Sequence, residues 1–119
     1  MMGTMFSCQK NEIDIVNTKW KCTDIDLTRF GIVERIYFNE NNIGTKELYV
    51  PASLSENGNE YTSSSSFSYT FDYPKGTITT IADGEESITF SFVIDGDDNE
   101  SLTLKWEKEY ADKHFSRED

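Results

Sequence analysis

Oxygen ligands are densest where Asp95, Asp97, Asp98, Asn99 and Glu100 crowd together. Closely spaced carboxylate and amide oxygens are the donors that calcium takes. An EF-hand loop begun at Asp95, however, would need glycine where Glu100 stands and glutamate where Trp106 stands. A solvated hairpin turn is the better reading. Asn99-Glu100-Ser101 also spells a glycan acceptor, a pattern common by chance. Nucleophilic chemistry requires a thiol or hydroxyl beside a base. The only histidine, His114, is far in sequence from both Cys8 and Cys22. Phosphate-binding glycine loops, zinc-ligand spacings and Cys-x-x-Cys are absent from the sequence. Asp24 and Asp26 share the parity of Trp20 and Cys22. An inward carboxylate there would meet a cation or a polar ligand group, but a position past the rim, in solvent, is favoured. The expectation is a non-catalytic chain without metal or cofactor.

The 119 residues suit one domain with its own core. A net charge of −11, from 22 acids against 11 bases, repels nucleic-acid backbones and anionic membrane surfaces alike. Solubility is the plainer meaning of that charge. No run of about 18 apolar residues offers a membrane-spanning helix. A disulfide between Cys8 and Cys22 is the lesser reading of the two thiols.

The elements that must position any site are strands. Phe67, Tyr69, Phe71 and Tyr73 alternate with Ser68, Thr70 and Asp72, and Ile88, Phe90, Phe92 and Ile94 repeat the pattern. A period of two marks a strand with one buried face. Between them Thr77 to Ala82 is rich in β-branched residues. Pro74-Lys75-Gly76 suits a three-residue hairpin loop, and Asp83-Gly84 a two-residue one. Together they set Phe71 opposite Thr79, and Thr79 opposite Ile88. Thr77, Thr79 and Ile81 then face inward, small enough for the aromatic rows to interdigitate.

Earlier strands are expected at Thr18 to Asp26, Ile32 to Asn39 and Thr45 to Val50, with Thr28 or Asp26 capping one helical turn between the first two. Pro51 ends the third strand. Ser53 to Ser66 contains an Asn57-Gly58 turn signal and then a serine run that reads as a polar strand or a loop, a strand carrying a bulge being preferred. The last strand is Ser101 to Tyr110, and a loop at Asp97 to Asn99 pairs Phe92 with Leu104 and Phe90 with Trp106. Residues 1–16 form a leader, residues 17–110 the β-domain, and residues 111–119 a polar tail. Hairpins in sequence predict an all-β, single antiparallel up-and-down barrel of seven or eight strands, with a two-sheet β-sandwich as the alternative.

Two resemblances follow. Met5-Phe6-Ser7-Cys8, followed by polar residues, resembles the end of a bacterial lipoprotein signal peptide, which implies lipidation at Cys8 and an envelope location. The polar leader after Cys8, the strand opening on Thr18-Lys19-Trp20 and the run of hairpins are similar to small lipocalin-like lipoproteins of Gram-negative anaerobes. Thr18 stands where lipocalins carry the glycine of Gly-x-Trp. Their late arginine, packed on that tryptophan, has only Lys105 or Lys108 as a counterpart. The family implies a small calyx for an apolar ligand and no catalytic residues.

The expected interior comprises Trp20, Ile36, Phe38, Leu48, Val50, Phe67, Tyr69, Phe71, Ile88, Phe90, Phe92, Leu102, Leu104 and Trp106. So many rings predict a mostly packed core with at most a shallow pocket at one open end. Trp20, Tyr69, Phe71, Tyr73, Phe90 and Trp106 are the expected ligand contacts, with the hydroxyls of Tyr69 and Tyr73 as polar lining. The expected partner is a small hydrophobic ligand or another envelope protein. Nucleic acid is excluded, and the membrane is met only through the Cys8 anchor. If the interior is merely filled, the barrel is instead a scaffold for protein interaction or inhibition.

Overall fold

The computed structural model describes residues 12–80, 87–96, 98–105 and 112–118. The strands are β1 (Thr18–Cys22), β2 (Val33–Phe38), β3 (Ile43–Val50), β4 (Tyr61–Asp72), β5 (Lys75–Thr80), β6 (Ile88–Asp95), β7 (Ser101–Lys105) and β8 (Lys113–Glu118). Each pairs antiparallel with its neighbours in sequence, and β1 also pairs with β8. The result is one closed up-and-down barrel of eight strands, so the sandwich alternative is set aside. Closure leaves no edge strand in the ring. One helical turn, α1 (Ile25–Thr28), joins β1 to β2. Asp24 is its N-cap residue and makes no side-chain cap bond, so neither Thr28 nor Asp26 caps it.

β8 corrects the reading of residues 111–119 as a tail. Lys113-His114-Phe115-Ser116 carries a single apolar residue, too little for a period of two to register. Phe115 is nonetheless only 2 % exposed, beside Cys22 on β1 and Leu102 on β7. Arg117 on β8 is the basic residue directly across from Trp20, whereas Lys105 ends β7 and Lys108 lies outside the described residues. The leader also ends earlier than expected. Ile15 is 1 % exposed within the core, Ile13 packs against it, and the Thr18 hydroxyl donates to the Ile15 carbonyl at 2.6 Å. Two isoleucines in a polar stretch carry no periodicity, but they suffice to plug the end of a barrel.

The β4–β5 turn corrects the central register. Asp72 pairs with Lys75, so the turn is Tyr73-Pro74, joined by a cis peptide, and not the three residues from Pro74 to Gly76. Phe71 thus lies opposite Gly76 instead of Thr79, a shift of three residues, and any odd shift exchanges the two faces of β5. Ile78 becomes the buried residue, paired with Tyr69 and Phe90. Thr77 and Thr79 face outward, where their hydroxyls meet those of Thr70 at 2.7 Å and Thr89 at 3.0 Å. Thr80, not Thr79, lies opposite Ile88, and Ile88 itself is 50 % exposed at the strand end. The expected pairing of Phe92 with Leu104 is present.

Glycines, not threonines, make room for the rings. Gly76 lies between Phe71 and Phe92, whose rings stack with centroids 6.0 Å apart. Gly44 lies between Phe38 and Phe67, whose rings meet edge to face at 5.8 Å. A Cβ on Gly44 would run into the Phe67 ring and stand 2.6 Å from the Tyr37 carbonyl oxygen. β4 runs unbroken from Tyr61 through the serines, so the expected bulge is absent. The Asp83-Gly84 turn, Ile81, Glu86 and the pairing of Trp106 lie outside the described residues.

On the outer face Arg35 of β2 and Glu118 of β8 reach across β1 and pair at 2.8 Å. The hydrogen bond to Arg35 holds the Glu118 carboxyl below its ordinary value. A group whose folded pKa is depressed adds stability above its unfolded pKa, and that stability is lost as pH falls through the folded value. Glu118→Gln should therefore cost about 0.5–1 kcal/mol at neutral pH, typical of a partly exposed pair. The difference should vanish in acid below the usual carboxylate range. Urea midpoints of both proteins at neutral and acid pH would measure this, and a gap independent of pH would contradict it.

Candidate binding site at the open end of the barrel

The two ends of the barrel differ. One carries the turns β2–β3, β4–β5 and β6–β7 and is closed by side chains. There Trp20 and Phe38 are fully buried, and Phe38 centres a cluster with Phe67, Tyr69 and Phe92 at centroid distances of 5.8, 4.9 and 5.3 Å. The Tyr69 hydroxyl donates to the Asn39 carbonyl and the Tyr73 hydroxyl to Asn99 Oδ1, both at 2.6 Å. Trp20 Nε1–H donates to Thr18 Oγ1 at 2.9 Å. The polar atoms of these buried rings therefore have partners within the fold, as burial requires. Trp20, Tyr69, Phe71 and Tyr73, expected to line a pocket, instead belong to the closed end. Asn99 is only 4 % exposed, so the glycan-acceptor pattern places its asparagine inside the protein.

The other end carries α1 and the connections β1–β2 and β3–β4. Of the expected contacts, Phe90 lies in this half, whereas Trp106 and Cys8 lie outside the described residues. Here the barrel interior becomes charged. Glu34 shares the inward parity of Ile36 and Phe38 and is 2 % exposed. Its Oε1 accepts from Lys113 Nζ at 2.9 Å, and its Oε2 faces Lys46 Nζ at 3.2 Å. Both lysines also stand on the inward parity of their strands. Lys46 pairs with Ile36, and Lys113 with Leu104. Sequence reasoning missed this group. The signal for Glu34 and Lys46 was present, since each falls on the same parity as its apolar neighbours. Lys113 had no such signal.

A void of about 30 Å³ adjoins Glu34 and Lys46 and is walled by Ile36, Phe67, Ile78, Thr80, Phe90 and Leu104. That is about the room of one water molecule. On the far side of Lys46 a shallow groove of about 280 Å³ runs along Leu48, Ser63, Ser64 and Ser65. Lys46 borders both spaces. It lies directly opposite Ser65 in the β3–β4 ladder, and Leu48 lies opposite Ser63.

Two further titratable groups near this end, among the described residues, are Cys22 and Asp24. Cys22 is a free thiol, 3 % exposed, and burial pushes its pKa up against the opposing backbone hydrogen bond at Asp24, with the Glu34 charge adding to the rise. A thiol held in its neutral form is a poor nucleophile. Asp24 turns toward β8: its Oδ2 accepts from the His114 backbone N–H at 3.2 Å, and its Oδ1 lies 3.0 Å from His114 Nδ1. It ties the end of β1 to the start of β8 and does not point into the barrel as a ligand group. Asp26 is exposed on α1. Among the described residues no group of three or more metal-ligating side chains forms, and no helix is long and apolar enough to cross a membrane. No family model, curated protein or solved structure matches the chain.

Proposed function

We propose that this chain is a non-catalytic, lipid-anchored envelope protein whose barrel binds a small, largely apolar ligand in a shallow pocket at its open end. The observation that carries this reading is the void beside Glu34 and Lys46, which has walls of Ile36, Phe67, Ile78, Phe90 and Leu104. Ligand sites are typically apolar concavities with a few placed polar groups. The closed end, sealed by Trp20, Phe38 and Tyr69, leaves the α1 end as the way in. The envelope location rests on the Met5-Phe6-Ser7-Cys8 segment, and the barrel topology accords with the lipocalin resemblance.

A second reading has its own support. Ile25, Phe30, Leu54, Tyr61 and Ile88 are all at least 46 % exposed, and the topology brings them to that same end. Such a surface suits a protein partner, with the barrel as scaffold. Titration with an environment-sensitive apolar dye separates the two. Saturable one-to-one binding, abolished by Thr80→Phe, is the expected result, because a phenylalanine there fills the void. Binding that Thr80→Phe leaves intact would place the dye on the exposed rim and favour the protein-interaction reading. No binding at all would remove the ligand reading.

A further inference from the structure

We infer that the ligand is an amphiphilic acid, whose apolar end enters the void and whose anionic head is taken by Lys46 beside the hydroxyls of Ser63 and Ser65. The inference rests on the ligand reading above and specifies its chemistry. It starts from a charge anomaly. The chain carries −11 overall, yet the inner face of its open end brings two ammonium groups to one carboxylate. Among the described residues Glu34 is the one buried charged side chain. Buried ion clusters contribute little stability compared with an apolar core of the same volume, so their placement calls for a role besides folding.

The two lysines are not equivalent. Lys113 holds Glu34 at 2.9 Å with 24 % of its side chain exposed. Lys46 stands farther off, at 3.2 Å, with 40 % exposed. Lys46 is thus the cation that can turn outward while Glu34 keeps its contact with Lys113. Turning outward takes its ammonium group into the groove, toward its cross-strand neighbour Ser65 and the diagonal Ser63. Across such a ladder, side chains on one face stand within reach of one another. An ammonium with hydroxyl donors suits a carboxylate, because charge-assisted hydrogen bonds are the strong ones. The groove's lining includes no acidic residue to oppose that head. On the inner side, Phe67, Ile78, Phe90 and Leu104 offer only apolar surface, and the void admits little more than the end of a chain. An acid with a short aliphatic chain meets both demands, whereas a bare inorganic anion uses only the groove.

The test uses the full chain with hexanoate, hexan-1-ol and inorganic phosphate, read by calorimetry and by amide chemical shifts. Hexanoate is expected to bind saturably and at least tenfold more tightly than hexanol or phosphate. Its shifts should centre on Lys46, Ser63, Ser65 and Phe90. Lys46→Gln should cost hexanoate at least tenfold in affinity and leave hexanol unchanged. The shift map of the unmodified protein keeps the test decisive should that variant misfold. Equal binding of hexanoate and hexanol would overturn the acid inference and leave the apolar-ligand reading standing. Phosphate binding as tight as hexanoate would overturn the amphiphile in favour of a general anion site. If neither organic probe binds, the inference fails together with the ligand reading.

Discussion

Phe38→Ala should lower the unfolding free energy by about 3–5 kcal/mol, the usual cost of deleting a fully buried ring. Phe38 has no exposed surface and meets Phe67, Tyr69 and Phe92 at once. Each favourable ring pair adds roughly 0.5–1.5 kcal/mol beyond the area it buries. Collapse around the deletion is hindered because the neighbouring strand already offers Gly44, which has no side chain to move into the space. For a domain with about 5–15 kcal/mol in total, this is a large share. Urea unfolding followed by circular dichroism should show a lower midpoint with an unchanged slope. A loss under about 1 kcal/mol would mean that the aromatic cluster is not the centre of the core.

Glu34→Ala should cost about 3 kcal/mol, at the lower end of the range for removing one partner of a buried ion pair. The variant deletes the carboxylate that two ammonium groups contact and leaves their charges beside Phe67, Phe90 and Leu104. Lys46 moderates the loss because its side chain reaches water. The combination Glu34→Met with Lys113→Met should recover most of the stability, since apolar groups of similar volume often replace a buried pair without loss. Chemical denaturation of the two single variants and the double variant gives the coupling directly. If the double variant loses the sum of the single losses, Glu34 and Lys113 do not act as a pair.

The aromatic rows at 67–73 and 88–94 determine the barrel from sequence alone, because alternation along a strand is a local property that needs no knowledge of its neighbours. The same holds for the helical turn after β1, the end of β3 at Pro51 and the pairing of Phe92 with Leu104. What failed depended on contacts distant in sequence. The register of β5 turned on whether the chain reverses at Tyr73-Pro74 or over Pro74 to Gly76; the two pairings differ by three residues, and an odd shift exchanges both faces. Ile15 and Phe115 are single apolar residues in polar segments. Only barrel closure, which lays β8 against β1 and the leader's end across the mouth, gives them a core to enter.

The candidate site was legible in part. Glu34 and Lys46 occupy inward positions that parity alone assigns, yet a charge on an apolar face is costly unless a partner meets it. Local sequence shows no such partner: Lys46 comes from the next strand and Lys113 from the last, 79 residues away. The tyrosines show the converse. Tyr69 and Tyr73 have the composition of a pocket lining, but the tertiary structure supplies a carbonyl at Asn39 and an amide oxygen at Asn99 that satisfy their hydroxyls at the closed end. The sequence by itself determined that the chain builds a barrel with an aromatic interior. Which end is sealed and which holds charge was decided by tertiary structure, because only closure of the ring brings partners from distant strands to each buried polar atom.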